Sequence, residues 1–262
     1  MRRLCKTGLD IVQQRGVSQT PHQQFLRIVE HRDHILADVE LLEPYLKDAS
    51  NCRLMRDQLE FWNLSLHRSY ILSELCRPAI RNLTQSKELK DLTQSIRTLC
   101  IQSLADTVEA FLGLHNITKF AMQSWAAVHR SLSSALLLCI LGEHKKNNRV
   151  RELISRLTTV MSEVLSTLDP TEAAAPMTRA VDALQKLNPF STPMESASGG
   201  LVQDFYGLQN FGGYGPTSQS DSTFFESSTS SPQMIHYDNE NSPYSILNSI
   251  MWGSFDNAAA AS

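Results

Sequence analysis

From Leu187 to its last residue the 262-residue chain contains no lysine and no arginine. Seven acidic residues lie in that stretch: Glu195, Asp204, Asp221, Glu226, Asp238, Glu240 and Asp256. The net charge of −3 therefore hides two materials, because residues 1–186 carry all 24 basic residues against the remaining 20 acidic ones. Closely spaced cysteines are missing too. Cys5, Cys52, Cys76, Cys100 and Cys139 each stand at least 24 residues from the next, whereas a structural zinc site needs ligand pairs two to four residues apart. That spacing excludes a zinc cluster. A scattered, odd count fits reduced thiols buried as small apolar groups, with Cys100 and Cys139 on apolar helix faces. The basic start MRRLCKTGLDIVQQRG has no apolar h-region, so a secretory signal is not expected and the protein is expected to stay inside the cell.

Long hydrophobic runs are also scarce. The most apolar stretch, SWAAVHRSLSSALLLCILG at residues 124–142, is uninterrupted only from Ser131 to Leu141. As a helix that run would rise about 16 Å, roughly half of a bilayer's hydrocarbon thickness. Too short to span and apolar nearly all round, it reads as the buried central helix of a domain.

What is present between residues 17 and 186 is helical periodicity, without a run of period-two alternation. Thr20-Pro21-His22-Gln23 supplies an N-cap, a proline at the first helical position and a capping-box glutamine, predicting a helix from there to about Pro44. A second helix is expected from near Ser50 through Met55, Leu59, Trp62, Leu66 and Tyr70, with Pro78 kinking or restarting it. A third runs from Ser86 to a stop at Gly113, a fourth from about Asn116 to Gly142, and a fifth from Val150 to Asp169-Pro170. A short sixth carries Val181, Leu184 and Leu187. Between residues 17 and 188 the only glycines are Gly113 and Gly142, both placed where a left-handed helix cap is wanted. The expected fold is all-α: a bundle-like domain of about six helices over residues 1–188.

Beyond Pro189 the composition changes to serine, glycine and proline, which cannot bury enough apolar surface to offset the entropy of ordering. Residues 189–262 are expected to form a largely disordered tail. Yet eleven of the nineteen aromatic residues lie there. Acidic and aromatic residues without cations describe a solvated segment that keeps adhesive side chains available. Its last element, SPYSILNSIMWGSFD, can form a short helix with Ile246, Leu247, Ile250 and Met251 on one face.

Catalytic signatures are absent. His31 and His34 in EHRDH lie one turn apart with no third ligand at a defined spacing, and read as part of a solvated charged face. The HRD triplet lacks the phosphate loop and DFG of a kinase. No phosphate-binding loop, nucleophile elbow or aspartate-rich magnesium motif occurs, so no enzyme is expected and no catalytic, cofactor or metal residue is nominated. The basic stretch EHKKNNRVR at 143–151 reads as a solvated turn, with nuclear import or a phosphate contact as the sharper reading. Trp62, Trp125 and His129 read as core residues, with a ligand pocket as the alternative.

Taken together, FWNLSLHRSYILSELCRPAI, then LCIQSLADTVEAFLGLHNITKFAMQSWAAVHRSLSSALLLCILGE and RVRELISRLTTVMSEV, resemble the helical middle and C-terminal regulatory region of fungal binuclear zinc-cluster transcription factors. The residues carrying the likeness are His67, Arg77 and Pro78, then Trp125 and the apolar run Leu132–Leu141 that contains Leu136. SILNSIMWGSFD resembles the Trp-containing apolar and acidic terminus of that family. The resemblance implies a nuclear regulator of transcription whose tail is an activation segment. Its coactivator contacts would be Ile246, Leu247, Ile250, Met251, Trp252 and Phe255. The family's six-cysteine DNA reader and zinc ions are absent from this chain, so no cofactor and no DNA-binding residue is assigned. The resemblance then implies either a piece of a longer protein or a chain acting through a DNA-binding partner. No membrane partner is expected, and homodimerisation is left open. The alternative reading is a helical scaffold or small-ligand-binding module with no transcriptional role.

Overall fold

The computed structural model describes residues 2–14, 20–81, 87–167, 175–188 and 242–252. They form an all-α structure, with no strand among the described residues. Of the tail expected to be largely disordered, residues 189–262, the parts 189–241 and 253–262 lie outside them, whereas residues 242–252 form the short helix that the spacing allowed and pack it on the bundle rather than leaving it free. The expected helix start at Ser86 and helix end at Asp169-Pro170 also lie outside the described residues.

In chain order the helices are α1 (Arg2–Gln14), α2 (Pro21–Glu40), α3 (Pro44–Lys47), α4 (Met55–Leu75), α5 (Arg77–Arg81) and α6 (Lys87–Ile117). They continue with α7 (Phe120–Gln123), α8 (Trp125–Ile140), α9 (Glu143–Lys146), α10 (Asn148–Thr167), α11 (Ala175–Leu187) and α12 (Pro243–Trp252). Local chemistry sets several boundaries. The capping box at α2 is formed: the Gln23 N–H donates to Thr20 Oγ1 at 3.3 Å, and the Thr20 N–H to Gln23 Oε1 at 3.2 Å. The second helix begins at Met55 rather than near Ser50, because the Asp57 carboxylate accepts from the Leu54 N–H at 3.1 Å and fixes the first turn there. Arg77 and Pro78 then restart the chain as α5 after α4 ends at Leu75.

Gly142 adopts the left-handed conformation (φ 72°) that the helix end requires. Gly113 does not stop its helix. It lies inside α6, which continues to Ile117, and the indole of Trp62 on α4 sits where a Cβ would be, 2.4 Å from that position. The glycine is there for the close approach of two helices, not for a turn. The fourth expected helix is divided as well: Ser124 is extended, and its hydroxyl accepts from the Ala127 N–H, capping α8 and separating it from α7. Helix α1, which the periodicity reading did not include, packs on α2 and α4.

The centre is α8. Every residue from Ser131 to Cys139 is buried, with Leu132, Ala135, Leu136 and Leu138 fully so. α6 runs between α4 and α8, α10 packs on α6 and α11, and α11 lies against α8. The helix too short for a bilayer is thus the inner post of the bundle. Among the described residues no helix is long and apolar enough to cross a membrane.

Candidate functional site

The six nominated coactivator contacts begin on α12, and the sequence builds this helix at both ends. Ser242 Oγ accepts from the Ser245 N–H at 3.1 Å, and Pro243 occupies the first helical position. At the other end the Arg179 guanidinium of α11 donates to the Met251 carbonyl at 2.8 Å, satisfying a last-turn acceptor. Ten residues are too few for a stable isolated helix in water, and α12 rests on α8 and α11.

Its inner face is Tyr244, Leu247 and Met251, with relative exposures of 1 %, 7 % and 1 %. Ile250 packs at the edge of the core and Ile246 is half-buried. Trp252 points outward, 47 % exposed. Phe255 lies outside the described residues. Two of the nominated contacts, Leu247 and Met251, are therefore covered by the chain's own bundle. Tyr244 was not nominated, although its place three residues before Leu247 and seven before Met251 marks the same helical face.

The residues that carry the family likeness gather partly around this helix. The Arg77 guanidinium lies 3.8 Å from the Tyr244 ring centroid, a cation–π contact, and within 3.7 Å of the Glu74 carboxylate. Trp125 leans on His129 with ring centroids 5.8 Å apart, and His129 is in turn 5.9 Å from Trp252. His67 stands one step away, its Nδ1 against the Arg130 guanidinium, which also lies 5.1 Å from the Tyr70 ring centroid. Pro78 sits partly exposed in α5, and Leu136 is fully buried in α8.

Two of the three core expectations are corrected here. Trp125 is 41 % exposed and is not a core residue, because it is the first residue of α8, six positions before the continuously buried stretch begins at Ser131. Trp62 keeps its expected place: half-buried, it packs against the core with its indole over Gly113. His129, read as a core histidine, is half-buried and lines a cavity beneath α12.

That cavity has a volume of about 280 Å³. The bundle contributes Ser73, Glu74, Arg77, His129, Ser133 and Ser134, and α12 contributes Tyr244, Asn248, Met251 and Trp252 among its lining. Burial first, and then the neighbouring Arg130 charge, hold the His129 imidazole below the usual histidine range, although Glu74 opposes the shift. The same two causes lower His67. Both rings are neutral near pH 7, so they act there as hydrogen-bond partners and stacking surfaces rather than as cations. A second cavity of about 410 Å³ lies between α1, α2 and α4, lined mainly by Leu4, Ile35, Val39 and Leu64, with the 2.8 Å Arg3–Asp38 ion pair at its rim. It touches none of the residues discussed above.

The charged features have local partners. Arg149 pairs with Asp106 at 2.8 Å and with Glu109, while Arg151 donates to the His144 carbonyl at 3.2 Å. His34 and Asp33 are exposed on α2. Among the described residues no group of three His, Cys, Asp or Glu side chains is placed to hold a metal ion. Comparison with family models, with curated proteins and with solved structures finds no match for this chain.

Proposed function

We propose that the chain is a regulator of transcription in the nucleus: the regulatory and activating region of a fungal zinc-cluster-type factor without its own DNA reader. In this reading the helical domain restrains the C-terminal helix, and coactivators or a DNA-binding partner receive it. The carrying observation is α12. It is an amphipathic helix too short to persist alone, and Leu247 and Met251 lie buried on the bundle. A partner groove that accepts an amphipathic helix would take the same face. Bundle and partner therefore compete for it, and the docked form is the restrained one. The acidic, cation-free sequence before α12 supports the same reading.

The test is a reporter assay with residues 189–262, and separately the whole chain, fused to a heterologous DNA-binding domain. The fragment should activate more strongly than the whole chain, and changing Trp252 and Phe255 together to alanine should remove the activation. Activation that is absent, or indifferent to those changes, rejects the proposal. The cavity under α12 favours a second reading, a helical ligand-binding module without a transcriptional role. Ligand binding accompanied by a silent reporter would select it.

A further inference from the structure

Helix α4 carries one side chain that its pattern does not ask for. On the face turned to α1, Leu64 lines the space between the helices and Ile71 lies beside Gly8 of α1, both apolar. Arg68 stands between them, one turn after Leu64. It is half-buried, and among the described residues it has no hydrogen-bond or ion-pair partner. The one carboxylate whose charge bears on it, Asp106, already accepts from Gln102 and from Arg149, each at 2.8 Å. A lysine so placed could shed its proton, but a guanidinium cannot. An unmatched cation on the inner face of a helix is costly. A local rule broken with no compensation inside the fold marks a site with a use.

Arg68 lines the cavity of about 410 Å³ between α1, α2 and α4. Its nitrogens are not sealed in the packing, so an incoming acceptor can reach them. The other walls are chiefly Leu4, Ile35, Val39, Leu42 and Leu64, and at the rim Arg3 and Asp38 neutralise each other at 2.8 Å. The lining is therefore an apolar surface with a single cation in excess. Its complement is a ligand with one negative charge and an apolar body. A carboxylate matches the guanidinium fork with two parallel hydrogen bonds. A phosphate monoester brings more than one negative charge near neutral pH, and only one is unmatched here. The volume lies in the lower part of the range for ligand pockets, which suits a chain of medium length rather than a long lipid tail.

We propose that the cavity between α1, α2 and α4 binds a medium-chain monocarboxylate, its carboxylate on Arg68 and its chain against Leu4, Ile35, Val39 and Leu64. Occupation also fastens α1, because Leu4 and Thr7 of that helix form one wall while α2 and α4 form the others. A ligand touching all three binds the closed arrangement more tightly than one in which α1 has lifted away. The site shares no residue with the cavity beneath α12, and it is independent of the function proposed for that helix.

The experiment uses the whole purified chain and octanoate, with octanamide as the uncharged isostere and acetate as the headgroup without a chain. Titration calorimetry should show octanoate binding at least about tenfold more tightly than octanamide, the factor that a charge-assisted hydrogen bond supplies. Acetate should not bind at the same concentrations. At about ten times its Kd, octanoate should slow exchange of the α1 amides by about tenfold. Arg68→Met keeps the stem and removes the charge, and should bind octanoate no better than octanamide. Should that variant fail to fold, Val39→Phe, which fills the cavity, should weaken both ligands. The proposal is overturned if octanoate does not bind, or if octanamide or acetate binds as well as octanoate does. It is equally overturned if binding leaves α1 exchange unchanged, or if Arg68→Met or Val39→Phe binds octanoate as the parent does. Sedimentation should be unaffected by octanoate; a dimer that octanoate dissociates would assign the cavity to a second copy of the chain and overturn the proposal too.

Discussion

Replacing Gly113 with alanine sets two effects of opposite sign against each other. In the interior of a long helix, alanine is favoured over glycine by about 1 kcal/mol. Here the added methyl would lie 2.4 Å from Trp62 Cδ2 and 2.5 Å from Cε2, the atoms of the ring fusion rather than a free end. Carbon atoms rest about 3.5–4.0 Å apart, so the indole must retreat by roughly 1 Å. Trp62 also packs edge-on against Phe61 at 4.8 Å, which limits where it can go. Overpacking of this kind costs about 1–3 kcal/mol. The steric term wins, and Gly113→Ala should destabilise the domain by about 1 kcal/mol, with 2 kcal/mol as the upper end. Trp62→Leu removes the obstacle, so in that background the same glycine replacement should become favourable by up to about 1 kcal/mol. Urea unfolding of the four proteins in the cycle gives the coupling directly. If Gly113→Ala stabilises the parent as much as it stabilises the Trp62→Leu protein, the indole does not occupy this space and the account of α4 against α6 is wrong.

Acid should weaken the fold earlier than its carboxylates would require. His67, His129 and His144 are all held below the ordinary histidine pKa, each chiefly by burial and then by a neighbouring cation, Arg130 for the first two and Lys145 for His144. The unfolded chain then binds these protons more readily than the native one. Stability is complete above about pH 6.5 and falls as pH drops below it. Urea midpoints should decline between about pH 7.5 and 5.5, and a flat profile would refute the assignment of neutral, buried rings. Thiol labelling separates the cysteines. Burial pushes Cys76 and Cys139 up to about 12 and raises Cys100 well above the usual thiol range, while Cys5 is exposed. An alkylating agent near pH 8 should modify Cys5 rapidly and leave those three intact until urea is added. Prompt native labelling of Cys139 would contradict the packing of α8.

The helices were legible where periodicity and caps agreed. Thr20 to Gln23 announces α2 in its own side chains, and the run from Ser131 to Leu141 announces a buried centre by being free of charge and apolar nearly all round. Ser242-Pro243 likewise marks the start of α12. What failed was the reading of residues whose reason lies on another helix. Gly113 looks like a stop because nothing in its neighbourhood tells of Trp62, about fifty positions earlier in the chain. Trp125 looks like core because its spacing matches Val128 and Leu132, whereas exposure depends on how far α8 extends beyond its neighbours. The site was divided in the same way. The apolar face of α12 is written in its spacing, but its pairing with Ser133, Ser134 and Arg77 joins segments more than a hundred residues apart, and no local pattern encodes that.

The attachment of α12 to α8 and α11 is made within one polypeptide. Diluting the protein leaves it unchanged, because the local abundance of helix and bundle for each other is fixed by the covalent chain. An outside competitor has no such advantage, and its occupancy rises only with its own concentration. In the proposed reading, the fraction held closed without a competitor is therefore the same at any concentration of this chain, and release is set by the free concentration of the competitor.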